Sequence, residues 1–182
     1  MLAAMPRGGV AQSPANLLLE GVVDLSCHFS GRDRAQFFNQ GNPPGINYLQ
    51  AFPGRGIRAW GARTLSRDRL WQYVGVRRLF LTLGRWIERN LADVVFEPND
   101  FRLWIRINRE LTVYLDSLFQ QGVLKGQVPE EAFYVKCDAE TNPATVRDVG
   151  QMVAEIGLAP AVPGEFIVAR LIQGETGVSL TT

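Results

Sequence analysis

The chain has 182 residues, 19 basic and 18 acidic side chains, a net charge of +1, one histidine and two cysteines. Its length suits one compact domain, and 46% hydrophobic against 20% charged residues suffices for a core, which excludes wholesale disorder. The near-neutral balance gives no basic field for a phosphate backbone, while two thiols and one imidazole exclude a disulfide scaffold, a four-thiolate zinc site and most histidine-built metal centres. Lys125 and Lys136 are the only lysines, so the other 17 basic residues are arginine, the cation that pairs with carboxylates through a planar fork and stacks on aromatic rings.

In chain order, residues 1–12 lack an apolar h-region and read as a flexible leader or a truncated start. Gly21 to Phe29 is rich in strand formers and predicts a strand. Gly31 to Pro44 ends in Gly-Asn-Pro-Pro-Gly and predicts a loop, with a helical turn around Arg34 to Phe38. Two short strands follow, Ile46 to Phe52 and Gly56 to Trp60, joined by a tight turn at Pro53 and Gly54. Val76, Leu79, Phe80, Leu83, Ile87 and Leu91 recur at helical spacing, with Arg77, Arg85, Glu88 and Arg89 mostly on the other face.

A second helix is predicted from Asn99 or Asp100, with Phe101, Trp104, Ile105, Leu111, Leu115, Leu118 and Phe119 as its apolar stripe and Gly122 as its stop. The link Val94-Val95-Phe96-Glu97 is short enough to be buried. Ala132 to Cys137, Met152 to Ala159 and Glu165 to Ile172 predict three further strands, with a short helix near Ala144 to Val149. The fold class is α+β: two long amphipathic helices on one face of a mostly antiparallel sheet, in two layers. No apolar run approaches the roughly 20 residues needed to span a bilayer.

Chemistry is sparse. Cys27 and His28 are adjacent on a predicted strand and point to opposite faces, and Cys137 has the character of a buried structural thiol. Pro53 to Arg63 superficially suggests a phosphate loop, but it lacks the Gly-Lys-Ser/Thr ending and leads into a strand. Glu130, Glu131, Glu97 and Asp100 all have structural explanations at helix starts and turns. Trp60, Trp71, Trp86 and Trp104 are not interleaved with a basic run, which favours packing over base stacking. No catalytic residue, cofactor or metal is predicted. Glu165 to Ile172, an apolar strand following Pro160 and Pro163, can complete its own sheet or add to a neighbour's.

Several motifs together resemble the C-terminal domain of contractile tail sheath proteins of myophages, R-type pyocins and extracellular contractile injection systems. They are Gly45-Ile46-Asn47-Tyr48-Leu49-Gln50-Ala51-Phe52-Pro53-Gly54-Arg55-Gly56-Ile57-Arg58-Ala59-Trp60-Gly61-Ala62-Arg63-Thr64-Leu65, Trp71-Gln72-Tyr73-Val74-Gly75-Val76-Arg77-Arg78-Leu79, and Val94-Val95-Phe96-Glu97-Pro98-Asn99-Asp100. Glu130 to Asp138, Ile156 to Pro160 and Pro163 to Ile167 follow in the family's order. The resemblance runs from about Ser13 to Gln173, leaving 174–182 as an expected flexible tail.

It implies a structural subunit, not an enzyme, that polymerises helically with copies of itself around an inner tube. Baseplate and terminator proteins are expected at the ends, with no nucleic acid partner and no direct membrane insertion. It also implies assembly in a bacterial cytoplasm into a phage tail or an extracellular injection particle. By the same resemblance Glu165, Phe166, Ile167, Val168, Ala169, Arg170, Leu171 and Ile172 form an arm exchanged between subunits. Arg55, Arg58, Arg63, Arg77 and Arg78 are candidates for inter-subunit or tube-facing salt bridges. Family members usually carry an N-terminal arm and a larger outer domain ahead of this region, so the chain is expected to be a fragment or a short paralogue. A sheath-like baseplate or terminator adaptor is the alternative, and a small cysteine-dependent enzyme using Cys137 and His28 is a more remote one.

Overall fold

The computed structural model describes residues 9–10, 13–33, 46–161, 167–174 and 177–181. The chain divides into two compact units, Met1–Arg78 and Leu79–Thr182.

In the first unit, β1 (Tyr48–Phe52) and β2 (Gly56–Trp60) form an antiparallel hairpin with Tyr48 opposite Trp60 and Phe52 opposite Gly56. Pro53 presets its own φ, Gly54 takes the left-handed φ of 69° that the next position requires, and the Arg55 amide donates to the Phe52 carbonyl at 3.0 Å. Residues 16–19 run along the other edge of β2. There the Asn16 and Leu19 amides donate to the Ala59 and Ile57 carbonyls at 2.7 and 2.9 Å, and Ala59 donates to Leu17 at 3.1 Å. Alternation then works as period two demands: Ile57 and Ala59 are buried and Arg58 between them is not. A 310 turn at Arg69–Trp71 leads toward α1 (Val74–Asn90), and the division between the units falls inside that helix.

Gly21 to Phe29 is not a strand. Residues 22–25 and 27–30 are irregular and mostly exposed, with Val23 98% accessible. Strand-forming side chains stabilise a strand only when a partner and a covered face exist, and this segment has neither among the described residues. The turn expected around Arg34 to Phe38 lies outside the described residues; a helical turn is present at 31–33, where Ser30 and Asp33 bond reciprocally to each other's amides at 2.9 and 3.3 Å.

The second unit is built on the predicted helical seam. Leu79, Phe80, Leu83, Ile87 and Leu91 are all buried, each contributing roughly 1.5–3 kcal/mol through burial. A 310 turn (Ala92–Phe96) connects α1 to α2 (Phe101–Gln120). Only part of that link is buried: Val94 is fully enclosed whereas Phe96 is 91% exposed. Asp100 caps α2 by accepting from the Arg102 and Leu103 amides at 2.9 and 3.2 Å. The buried stripe of α2 is Leu103, Ile107, Leu111, Leu115 and Leu118. Phe101 and Ile105, expected inward, are exposed, because the stripe set by Leu111, Leu115 and Leu118 projects back to 107 and 103 at four-residue steps. Gly122, at φ 71°, ends the helix: its amide donates to Phe119 at 2.8 Å and that of Val123 to Leu118 at 3.0 Å.

A helical turn α3 (Pro129–Ala132) enters β3 (Phe133–Lys136), and another, α4 (Ala144–Arg147), precedes β4 (Met152–Leu158). β5 (Ile167–Gly174) and β6 (Gly177–Thr181) complete an antiparallel sheet in the order β3-β4-β5-β6. Where the sequence predicts a flexible tail over 174–182, Gly177–Thr181 is paired with β5, Leu171 opposite Leu180. The architecture is α+β, with helices and small antiparallel sheets.

β3 leaves β4 after the Lys136–Glu155 pair, and Asn142 takes over its role. Its buried side-chain amide accepts from the Val153 amide at 2.7 Å and donates to the Val153 carbonyl at 2.9 Å, as a strand residue would. It also bonds the Asp138 carbonyl at 3.0 Å. Asn142→Ala removes all of these and leaves two backbone groups of β4 unpaired, so urea unfolding is expected to show a loss of roughly 2–4 kcal/mol. An unchanged midpoint would contradict the role given to this side chain.

Candidate assembly interface

The five arginines singled out by sequence all lie in the first unit, and the hairpin sets two of them. Arg55 is exposed at the β1–β2 turn. Arg58, on the outward face of β2, is held within the unit: its guanidinium donates to the Asn16 carbonyl at 2.9 Å, the Asn16 side chain at 3.3 Å and the Arg55 carbonyl at 3.3 Å. Arg63 is half-buried; its carbonyl accepts from Asn47 Nδ2 at 2.7 Å and its amide donates to Asn47 Oδ1 at 2.9 Å. Arg77, exposed on the first turn of α1, lies over the Trp71 ring at 5.0 Å from its centroid, and Arg78 beside it is half-buried. Arg58 is thus committed to internal bonds, while Arg55 and Arg77 present charge outward.

The backbone of Ile167 to Ile172 is β5, paired with the chain's own β4 from Leu158–Ile167 to Val153–Ile172. Glu165 and Phe166, the first two residues of the expected arm, lie outside the described residues. Ahead of them the chain is anchored, with Ala159 donating to Ala132 at 2.8 Å and Ala161 to Val123 at 3.1 Å.

A carboxylate cluster emerges that sequence spacing did not reveal. Arg106 pairs with Asp93 and Glu110, each at 2.8 Å, and with Glu97. Only the i, i+4 relation to Glu110 is visible in the sequence; Asp93 and Glu97 come from the preceding 310 turn, which folds back over the first turns of α2. Hydrogen bonding to Arg106 holds the Asp93 carboxyl below its ordinary 3.8. The cluster braces the link that carries the exposed Phe96.

The residues weighed for chemistry are accounted for structurally. Cys27 is exposed, and its neighbour His28 faces Asp24 at 3.6 Å. Cys137 is buried, with Asn108 Nδ2 donating to its carbonyl at 2.8 Å, and burial pushes its thiol up to about 12, so it is protonated near neutrality. Glu131 accepts from the Gln127 amide at 2.9 Å, Asp100 is a helix cap, and Glu97 belongs to the Arg106 cluster. The tryptophans are half-buried and pack locally: Trp60 tilts against Phe52, Trp86 stacks on Tyr114 at 4.3 Å and 9°, and Trp104 donates to Asn99 Oδ1 at 2.7 Å. Among the described residues no group of acidic, histidine and cysteine side chains is placed to hold a metal, and no helix is long and apolar enough to cross a membrane.

Residues 66–173 match the family described as the phage tail sheath C-terminal domain. The chain belongs to that family. The tail sheath protein of Vibrio phage KVP40 is 29% identical to this sheath domain over 133 residues, which is 72% of the chain and 19% of that protein. A chain in the cryo-EM structure of the anti-feeding prophage baseplate, six-fold symmetrised, is 37% identical with a TM-score of 0.80, covering 91% of this chain and 45% of that one. A chain in the contracted PVC sheath complex, an extracellular contractile injection system, is 35% identical with a TM-score of 0.81, covering 90% and 46%. The sheath domain therefore spans less than half the length of these relatives.

Two measurements check the site geometry. Alkylation of the folded protein at mildly alkaline pH is expected to modify Cys27 and leave Cys137 unmodified until denaturant is added; early labelling of Cys137 would contradict its burial. Because the Asp93 carboxyl lies below 3.8 in the folded state, its contribution to stability is present above 3.8 and is lost as pH falls through the folded value. In Arg106→Gln the drop in urea midpoint between neutral and strongly acidic pH is therefore expected to shrink, and an undiminished drop would place the acid sensitivity elsewhere.

Proposed function

We propose that this chain is the inner, tube-facing C-terminal domain of a contractile sheath subunit. Copies polymerise helically around an inner tube, and contraction drives that tube through a target envelope. Baseplate and terminator proteins bound the polymer at its ends, and assembly takes place in a bacterial cytoplasm before the particle acts as a phage tail or an extracellular injection device. The observation that carries this reading is the family match over 66–173 joined to the 35% identity and TM-score of 0.81 with a chain of the contracted PVC sheath.

The arm proposed to link subunits is Glu165 to Ile172, with β6 travelling alongside it. Two features support it. The demand of β4 for a partner is a backbone demand, so β5 of a second copy meets it in the same antiparallel register as the chain's own. Residues 162–166 separate the anchored Ala161 from β5 and reach roughly 17 Å when extended, several strand spacings beyond what a tight hairpin needs. Arg55, Arg58, Arg63, Arg77 and Arg78 remain the proposed cations of inter-subunit or tube-facing contacts, with Arg55 and Arg77 the most available.

A baseplate or terminator adaptor is the second reading, favoured by the 37% identity with a chain of the anti-feeding prophage baseplate. Antibody labelling of particles sedimented from the source organism separates the two: label along sheathed tubes is expected, and label at one end alone would establish the adaptor. Deleting the residues after Pro163 is expected to preserve helical circular dichroism and abolish tube formation. Normal tubes from that deletion would overturn the arm assignment.

A further inference from the structure

The overall charge of +1 hides a strong partition. Ten arginines and four acidic residues fall in Met1–Arg78, giving +6, whereas Leu79–Thr182 holds nine basic and fourteen acidic residues, giving −5. Each unit therefore carries a substantial field of one sign, and the two signs are opposite.

Much of this charge is uncommitted inside the chain. Arg55, Arg67 and Arg77 are exposed and form no ion pair among the described residues. In the second unit, Asp93, Glu97 and Glu110 share a single cation, Arg106. Glu130 and Asp148 are exposed without an ion pair among the described residues, and Glu140, also exposed, is matched only by Lys136, which it shares with Asp138.

We propose that a second copy of this chain is the electrostatic partner: the arginine-rich first unit of one copy meets exposed acidic residues of the second unit of the next, Glu130, Glu140 and Asp148 among them. Every copy carries both signs, so a second copy offers each unit its complement. A head-to-tail contact pairs the opposite signs of successive copies, and where its rotation does not close it repeats into a filament. The inference deepens the sheath reading, on which its choice of partner rests, by naming the complementary surfaces and the force that orients them.

The test is sedimentation velocity of the 182-residue protein with two charge-reversed triple variants, Arg55→Glu/Arg67→Glu/Arg77→Glu and Glu130→Lys/Glu140→Lys/Asp148→Lys. Wild-type self-association is expected to weaken about tenfold or more between about 0.1 M and about 1 M NaCl, where the screening length falls from about 10 to about 3 Å. Each variant alone is expected to lose association, because one then presents acidic side chains at both sets of substituted positions and the other basic side chains at both. Mixing them is expected to restore it, since the reversed surfaces then complement each other. Recovery on mixing excludes misfolding as the cause, and circular dichroism of each variant checks the same point.

Association insensitive to salt and to both reversals would overturn the proposal, as would two folded variants that fail to recover on mixing. A wild-type chain that stays monomeric at every salt concentration would overturn it too. Labelled sheathed tubes in the same organism would keep the sheath reading standing in each of those cases, while unlabelled tubes would remove that reading separately.

Discussion

β4 sets the terms for the second unit, because its residues alternate between buried and half-buried up to Ile156 and are then fully buried through Leu158, leaving its backbone with little water to bond. Every amide and carbonyl along it therefore needs a protein partner on both sides. β3 serves one side as far as Glu155, Asn142 serves Val153, and β5 serves the other side from Met152 to Leu158. Asn142 shows how strict the requirement is: a side-chain amide is buried and bound at several points to replace one residue of a strand that has turned away. A backbone requirement is indifferent to which chain meets it. That indifference is the physical basis of the proposed arm exchange.

The helices hold that sheet by two kinds of attachment. The seam of Leu, Ile and Phe side chains on α1 and α2 supplies most of the free energy, through burial that is large but non-directional. Direction comes from polar ties of low redundancy. Asn99 donates to the Gln151 carbonyl at 2.7 Å while accepting from Trp104, and Asn108 reaches the Cys137 carbonyl, so the start of α2 is pinned near the start of β4 and its middle near the end of β3. Arg106 adds a third tie at the turn between the helices. Such ties suit the proposed sheath role, in which a subunit changes neighbours while keeping its own fold.

Charge distribution adds a constraint that contact geometry alone does not. A chain near neutrality is usually read as electrostatically bland, yet the two units here carry opposite fields, with most of the cationic charge on arginine. Ion pairing within the described residues is concentrated in the second unit, at Arg106 and Lys136, while several arginines of the first face outward. In a polymer, alternating signs favour one orientation of successive copies, and screening leaves the burial-driven core of each copy untouched.

The sequence by itself determined the local elements and the family. Periodicity located α1 and its buried face, Asp100 and Gly122 marked the ends of α2, and Pro53-Gly54 located the first hairpin, because helical spacing, capping and turn chemistry act over a few residues and leave a local imprint. Long motifs in a characteristic order identified the sheath family for the same reason of locality. What escaped the sequence depends on partners far along the chain. Gly21 to Phe29 has strand-forming side chains but no sheet to join among the described residues; the face of α2 is set by Leu103 and Ile107, with Phe101 and Ile105 left to solvent; and residues 177–181 become a strand because β5 offers them an edge. The Arg106 cluster and the Asn142–Val153 bonds likewise join residues up to 13 and 11 positions apart. Tertiary structure decides such features because burial and pairing belong to the neighbour as much as to the residue, and a linear sequence does not say who the neighbour is.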